Sequence, residues 1–221
     1  MSRASDFGDA AVLSRGTRLL VAASAAIGAG RDEAVRDALK AAHAALGDGL
    51  DATAIEEMLL QTHLFVGYPA TIAALAAWRE IAGVTRDAVP DDDPTTWQAR
   101  GEEVCRSVYG NAYDRLRAHV ASLHRDLDRW MLRDGYGRVL GRPGLALRDR
   151  ELCVVALLCG QDAEPQLYSH LRGALRVGAT EDELEAVLRV AGDHVSAERR
   201  EGAWRVWSTL LGRAVRAAEG P

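Results

Sequence analysis

Two stretches of this chain lying 129 residues apart share one design, which restricts the fold to something built twice from the same part. Residues 180–191 open on Thr180 and Glu183, a capping box, and carry Leu184, Val187, Leu188 and Ala191 at helical spacing. Residues 51–66 repeat the pattern with Ile55, Met58, Leu59 and Thr62 behind the candidate caps Asp51 and Thr53. The same offset carries Trp78 onto Trp207. Upstream, allowing a four-residue insertion, TRLLVAASAAIGAG from Thr17 lies over RELCVVALLCGQDA from Arg150. Each is followed by an acidic residue and an Ala/Leu/Arg-rich helix, so each half reads helix, turn, helix, turn, long helix.

Strand signals are scarce, and Ala, Leu, Arg and Glu dominate, so the expected class is all-α. The pattern predicts a first unit over residues 10–88, a linker and connecting helix over 89–109, and a second unit over 110–217. The linker is VPDDDPTT at 89–96, whose prolines push the preceding residues out of the helical region. Trp97 to Tyr109 and Tyr113 to Trp130 read as further helices. Residues 135–147, GYGRVLGRPGLAL, carry enough glycine to predict an irregular connection.

Composition narrows the classes of function. With 48% apolar and 27% charged residues the chain is that of a soluble folded protein, and its net charge of -5 offers no basic surplus for nucleic acid or an anionic membrane. The run LLVAASAAIG at 19–28 has flanks like a signal peptide's, but Asp6 and Asp9 precede it and it falls short of a membrane span, so a buried helix is expected. Cys105, Cys153 and Cys159 form no Cys-x-x-Cys pair and no even disulfide framework, which points to a reducing compartment, the cytoplasm by default. Lys40 is the only lysine, which leaves little room for Schiff-base chemistry.

The strings RPGLALRDRELCVVALL and EPQLYSHLRGALRVGATEDELEAVL resemble the carboxymuconolactone decarboxylase family. In the first half, IEEMLLQTHLFVGYPATIAAL is similar to that family's closing helix, with Glu57, Phe65, Gly67 and Pro69 at its glutamate and its aromatic-x-Gly-x-Pro break. The resemblance covers about residues 15–85 and 110–215 and implies a tandem duplicated helical bundle of the alkylhydroperoxidase D-like type. It also implies homo-oligomers, for a fused pair a trimer of two-unit chains. The halves depart from the pattern in complementary ways. Asp37 stands where the second half has His170, and Gly67-Tyr68-Pro69 has become Ser196-Ala197-Glu198. Packed about a pseudo-twofold axis, they would share one composite site.

His170 lies on the apolar stripe of its helix with Leu167, Leu171 and Ala174, as either a satisfied core histidine or a tuned acid/base. The resemblance favours the second role. A hairpin turning near residues 162–164 brings His170 about one helical turn from Glu151, close enough for a carboxylate to fix the tautomer of the ring, while Glu151 would also suit a helix N-terminus. His63, ahead of the Gly67 break, is the second acid/base candidate, with a partly exposed interhelical histidine as its other reading. Arg142 and Arg150 are expected to hold an anionic substrate by bidentate bonds, and Glu57 and Tyr68 join them as expected substrate contacts. Arg148 reads as a solvated charge, as do His119 and His124, whose five-residue spacing does not suit a metal. Asp91, Asp92 and Asp93 read as linker.

The family's named reaction, loss of carbon dioxide from 4-carboxymuconolactone, implies a small carboxylated substrate and no metal or redox cofactor. In the related alkylhydroperoxidase D-like proteins the redox cysteines would fall at Ala163 and Gln166, so disulfide exchange lacks its thiols here. Cys153 and Cys159 lie about 240° apart around one helix, which places them in the core and not in a disulfide. Two rivals stand beside decarboxylation: a thiol-dependent antioxidant enzyme and a non-catalytic binding or assembly module.

Overall fold

A computed structural model of the protein describes residues 12–83, 93–161 and 163–218, with side chains through residue 212. The first half holds α1 (Arg15–Gly28), α2 (Asp32–Ala44), α3 (Ala52–Gln61) and α4 (His63–Ala82). Next come α5 (Trp97–Tyr109), a 3-10 turn, α6 (Tyr113–Leu123), α7 (Arg125–Trp130) and a π-helical segment, Met131–Leu140. The chain closes with α8 (Leu147–Cys159), α9 (Glu164–Arg176), α10 (Glu181–Gly192) and α11 (Ala197–Ala218). The architecture is all-α, an alkylhydroperoxidase D-like helical bundle.

Equivalent positions of the two halves make equivalent contacts. Asp51 accepts a hydrogen bond from the Ala54 N–H at 2.8 Å and Thr180 one from the Glu183 N–H at 3.1 Å, each capping its helix. Trp78 Nε1 donates to Glu56 at 3.3 Å, and Trp207 Nε1 donates to Glu185 at 3.3 Å. Every member of these pairs is 129 residues from its counterpart.

α1 and α8 lie against each other at the centre, which explains why both are apolar nearly all round. α1 splits its faces. Leu20, Ala23 and Ile27 join the core of α2–α4, while Val21 and Ala25 join that of α8–α11. Cys153 of α8 returns the exchange into the first core, so neither half has a hydrophobic core of its own making. The apolar run at 19–28 is this buried helix, and no single helix among the described residues is long and apolar enough to cross a membrane.

Three expectations about local structure require correction. Residues 51–66 do not form one helix: α3 ends at Gln61, and α3 and α4 meet with a bend of 116°. The bend is held by the Thr62 hydroxyl, which donates to the Leu59 carbonyl at 2.7 Å and lies 2.8 Å from the Thr71 hydroxyl. Within α4 the predicted break is present, with Gly67 at φ 74° ahead of Pro69. The expected helix from Tyr113 to Trp130 is divided at His124, which is extended and whose Nδ1 accepts from the Asp126 N–H at 3.1 Å, a cap in place of a helical residue.

The third correction bears on the site. Much of the stretch expected to be irregular, residues 135–147, is helical, because Tyr136, Val139 and Leu140 continue a buried face begun by Leu132. Its glycines serve packing. A Cβ on Gly137 would lie 2.0 Å from the Trp97 carbonyl oxygen, and one on Gly101 would lie 2.0 Å from that of Leu132, so α5 and the π-helical segment cross backbone against backbone. The connecting helix α5 thus buries Cys105 and Val108 in a third apolar cluster. Residues 89–92 of the linker, with Asp91 and Asp92, and residue 162 of the hairpin lie outside the described residues. Asp93 accepts from the Thr95 N–H at 2.9 Å and starts the turn into α5.

Candidate active site

Glu151 stands in the second turn of α8, with Asp149 occupying the first, so it is not placed to complement the helix dipole. Its side chain is entirely buried. The neighbouring α9 presents His170, 5% exposed, with Nδ1 2.9 Å from Glu151 Oε2. This contact fixes the orientation of the ring and leaves Nε2 for whatever enters beside it. Glu151 Oε1 is buried without a hydrogen-bond partner among the described residues, an arrangement rare in structures and common at functional sites.

His170 lines a cavity of about 360 Å³ together with Leu64 and Phe65 of α4, Tyr109 of α5, and Met131 and Tyr136 of the π-helical segment. The Phe65 ring meets the imidazole edge-on at 5.5 Å. Leu64 and Phe65, early in the chain, and His170, more than 100 residues later, therefore line one cavity. Burial pushes the Tyr109 hydroxyl up to about 12, and it pushes Tyr136 well above the usual phenol range. Both stay protonated at neutral pH, and their hydroxyls share a hydrogen bond with each other on the cavity wall.

His63 lies elsewhere. Its Nδ1 is 2.6 Å from the Leu60 carbonyl oxygen, and its ring is 5.4 Å from that of Tyr68. Both line a second cavity of about 510 Å³ with Arg142, and Asp134 borders this cavity and that of His170.

Arg150 and Glu57 are placed differently from the sequence expectation. Arg150 is fully buried, donating to Glu57 Oε2 at 2.9 Å and to the carbonyls of Arg142 at 3.0 Å and Leu145 at 3.1 Å. Glu57 also accepts from Arg142 Nε at 3.1 Å, so two arginines share this buried carboxylate, and neither Glu57 nor Arg150 lines the His170 cavity. Arg148 is not a free solvated charge, since it pairs with Asp149 at 2.5 Å and with Glu183. His119 and His124 are exposed.

Sequence reasoning missed Tyr109, Asp134 and Tyr136 at the site. The signal for Tyr136 was present in the helical spacing of Leu132, Tyr136 and Leu140, masked by the intervening glycines.

Cys105, Cys153 and Cys159 are buried and unpaired, and burial pushes each thiol up to about 12. Such thiols have almost no thiolate with which to reduce a peroxide. Among the described residues, no three His, Cys, Asp or Glu side chains converge as metal ligands do.

An all-helical bundle with a buried acid–histidine pair beside an apolar cavity defines the class to which this protein belongs, and the comparisons with known proteins agree. The profile of the carboxymuconolactone decarboxylase family matches residues 125–208, which include both Glu151 and His170. A 4-carboxymuconolactone decarboxylase of Acinetobacter baylyi is 31% identical over 90 residues, 40% of this chain and 67% of that relative. A nitrosuccinic acid decarboxylase, npaB, of Metarhizium robertsii is 32% identical over 110 residues, 49% of this chain and 77% of that relative. Peroxisomal protein 2 of Schizosaccharomyces pombe is 30% identical over 144 residues, 62% of this chain and 66% of that relative, just under two thirds of its length. The chain belongs to the carboxymuconolactone decarboxylase family.

Proposed function

We propose that the protein is a cofactor-independent decarboxylase of a small carboxylated compound, with His170 as the proton-transfer group and Glu151 as the residue that positions it. The contact between His170 Nδ1 and Glu151 Oε2, on the wall of an apolar cavity, is the observation that carries this reading. Leu64, Phe65 and Met131 surround the reacting region with hydrocarbon. A carboxylate held there loses hydration, whereas the carbon dioxide formed from it is neutral, so the apolar wall favours bond cleavage. The C–C bond to the carboxylate breaks, and its electron pair passes into the conjugated carbonyl system of the substrate. Nε2–H of the protonated His170 then delivers a proton to the carbon that lost the carboxylate, and the ring takes up another from solvent. Tyr109 and Tyr136, neutral phenols hydrogen-bonded to each other on the cavity wall, leave one hydroxyl proton to donate to the carbonyl oxygen on which charge develops.

In the same reading the chain is a fused pair of family units, divided near residues 89–109 and supported by the equivalent caps and Trp–Glu contacts of the two halves. It works in the cytoplasm as a homo-oligomer, a trimer of two-unit chains. The names of the two decarboxylase relatives suggest the substrates for the test, 4-carboxymuconolactone and nitrosuccinate. Enzyme-dependent release of carbon dioxide from either, slowed by orders of magnitude in His170→Ala, is the expected result. The proposal fails if the wild-type protein releases none from these compounds and related carboxylated lactones.

A further inference from the structure

A third cavity, of about 390 Å³, opens between α6 and α9, and its walls carry cations on both sides. Arg115 and His119 lie one turn apart on α6, and Arg172 and Arg176 lie one turn apart on α9. No carboxylate lines this cavity, and none of the three arginines has a carboxylate partner among the described residues. Neighbouring Arg117 shows the contrast, held by Asp128, while Arg172 has only the Tyr168 ring beneath it, at 5.9 Å. Arg176 spends one donor on the Tyr109 carbonyl at 2.6 Å, and burial followed by the charge of Arg172 lowers its affinity for its proton. Like charges gathered on the two walls of one groove repel, and an anion between them removes that cost.

We infer that this cavity is an oxyanion subsite, built to take a small ligand bearing at least two negative charges through the guanidinium groups of Arg115, Arg172 and Arg176. Guanidinium forks match the paired oxygens of phosphates and of carboxylates alike, so the shared chemistry is that of a multivalent oxyanion. Tyr109 lines both this cavity and that of His170, which puts the subsite next to the acid–histidine pair. The inference rests on the decarboxylase reading only in taking the anion to be the unreacting end of the substrate, and binding itself is tested apart from turnover.

The test is calorimetric titration of the full chain with pyrophosphate and, separately, citrate at low ionic strength, for wild type, His170→Ala and the double variant Arg115→Gln, Arg172→Gln. Binding of either anion that weakens with added salt, is lost roughly tenfold or more in the double variant and persists in His170→Ala, is the expected result. Binding of pyrophosphate alone assigns a phosphorylated ligand, and binding of citrate alone assigns a polycarboxylate. Absence of binding by both anions, or equal binding by wild type and a double variant of unchanged Tm, overturns the inference. Neither of those outcomes touches the His170 reading, which stands or falls on release of carbon dioxide.

Discussion

Glu57 of α3 and Arg150 of α8 form an ion pair of 2.9 Å across the two halves of the chain, with Arg150 fully buried and Glu57 only 4% exposed. Arg142 adds a second cation to the same carboxylate. The cluster joins α3 to the loop that enters α8, and α8 carries Glu151 in the residue after Arg150. The charges expected at the substrate therefore hold in place the helix on which the acid–histidine pair is built.

Removing one member of this cluster strands the others without compensation. Glu57→Gln is expected to destabilise the protein by about 3–5 kcal/mol, read as a lower midpoint in urea unfolding. A variant as stable as wild type would show that Arg142 and Arg150 find carboxylate or water elsewhere.

His170→Ala is expected to lower kcat by roughly 10²–10⁴-fold on a carboxylated substrate while leaving the far-UV circular dichroism unchanged. Glu151→Gln retains an acceptor for Nδ1 but removes the charge, so it is expected to lower kcat and displace the pH profile. An unaltered profile in that variant would remove Glu151 from the positioning role.

All three cysteines are buried with thiols pushed up to about 12. The folded protein is therefore expected to resist a thiol reagent near neutral pH and to react at three positions once unfolded in guanidinium. Rapid labelling of the folded protein, accompanied by peroxide consumption, would reopen the antioxidant alternative.

His194 has its protonation lowered from the usual 6.5, first by burial and then by Arg31 against the opposing effect of Asp193. The unfolded chain binds this proton more readily, so the contribution of His194 to stability is complete above about 6.5 and is lost as the pH falls through the lower, folded value. His194→Gln is expected to flatten the decline in unfolding free energy on that acid side. An identical slope in wild type and variant would assign the decline to other groups.

Gly101→Ala sets a methyl group 2.0 Å from the Leu132 carbonyl oxygen and cannot be accommodated by a side-chain rotation. Separation of α5 from the π-helical segment is expected to cost about 3 kcal/mol or more and to open the Tyr109–Tyr136 wall of the cavity. Unchanged stability, measured by thermal unfolding, would contradict the backbone contact.

Much of this was legible in the primary structure because helices announce themselves locally. The capping box at Thr180 and Glu183, the glycine break at Gly67 and the apolar faces of α3 and α10 all depend on residues within a turn or two of one another. The same locality led the reading astray where a distant partner decides the outcome. Gly135 and Gly137 weaken an isolated helix, and only the presence of α5 makes the close approach at Gly137 worth more than the lost propensity. Arg142 and Arg150 resemble substrate anchors until Glu57, about 90 residues earlier, is found between them.

By itself the sequence determined the helical class, the family resemblance and the presence of one histidine able to share a stripe with hydrophobic neighbours. Tertiary structure alone decided that this histidine lines a cavity walled in part by residues more than 100 positions earlier in the chain, and which arginines have a carboxylate beside them. Helical periodicity is a property of adjacent residues, whereas a cavity and the charge balance around it depend on which chain segments pack together, and that is settled by long-range burial.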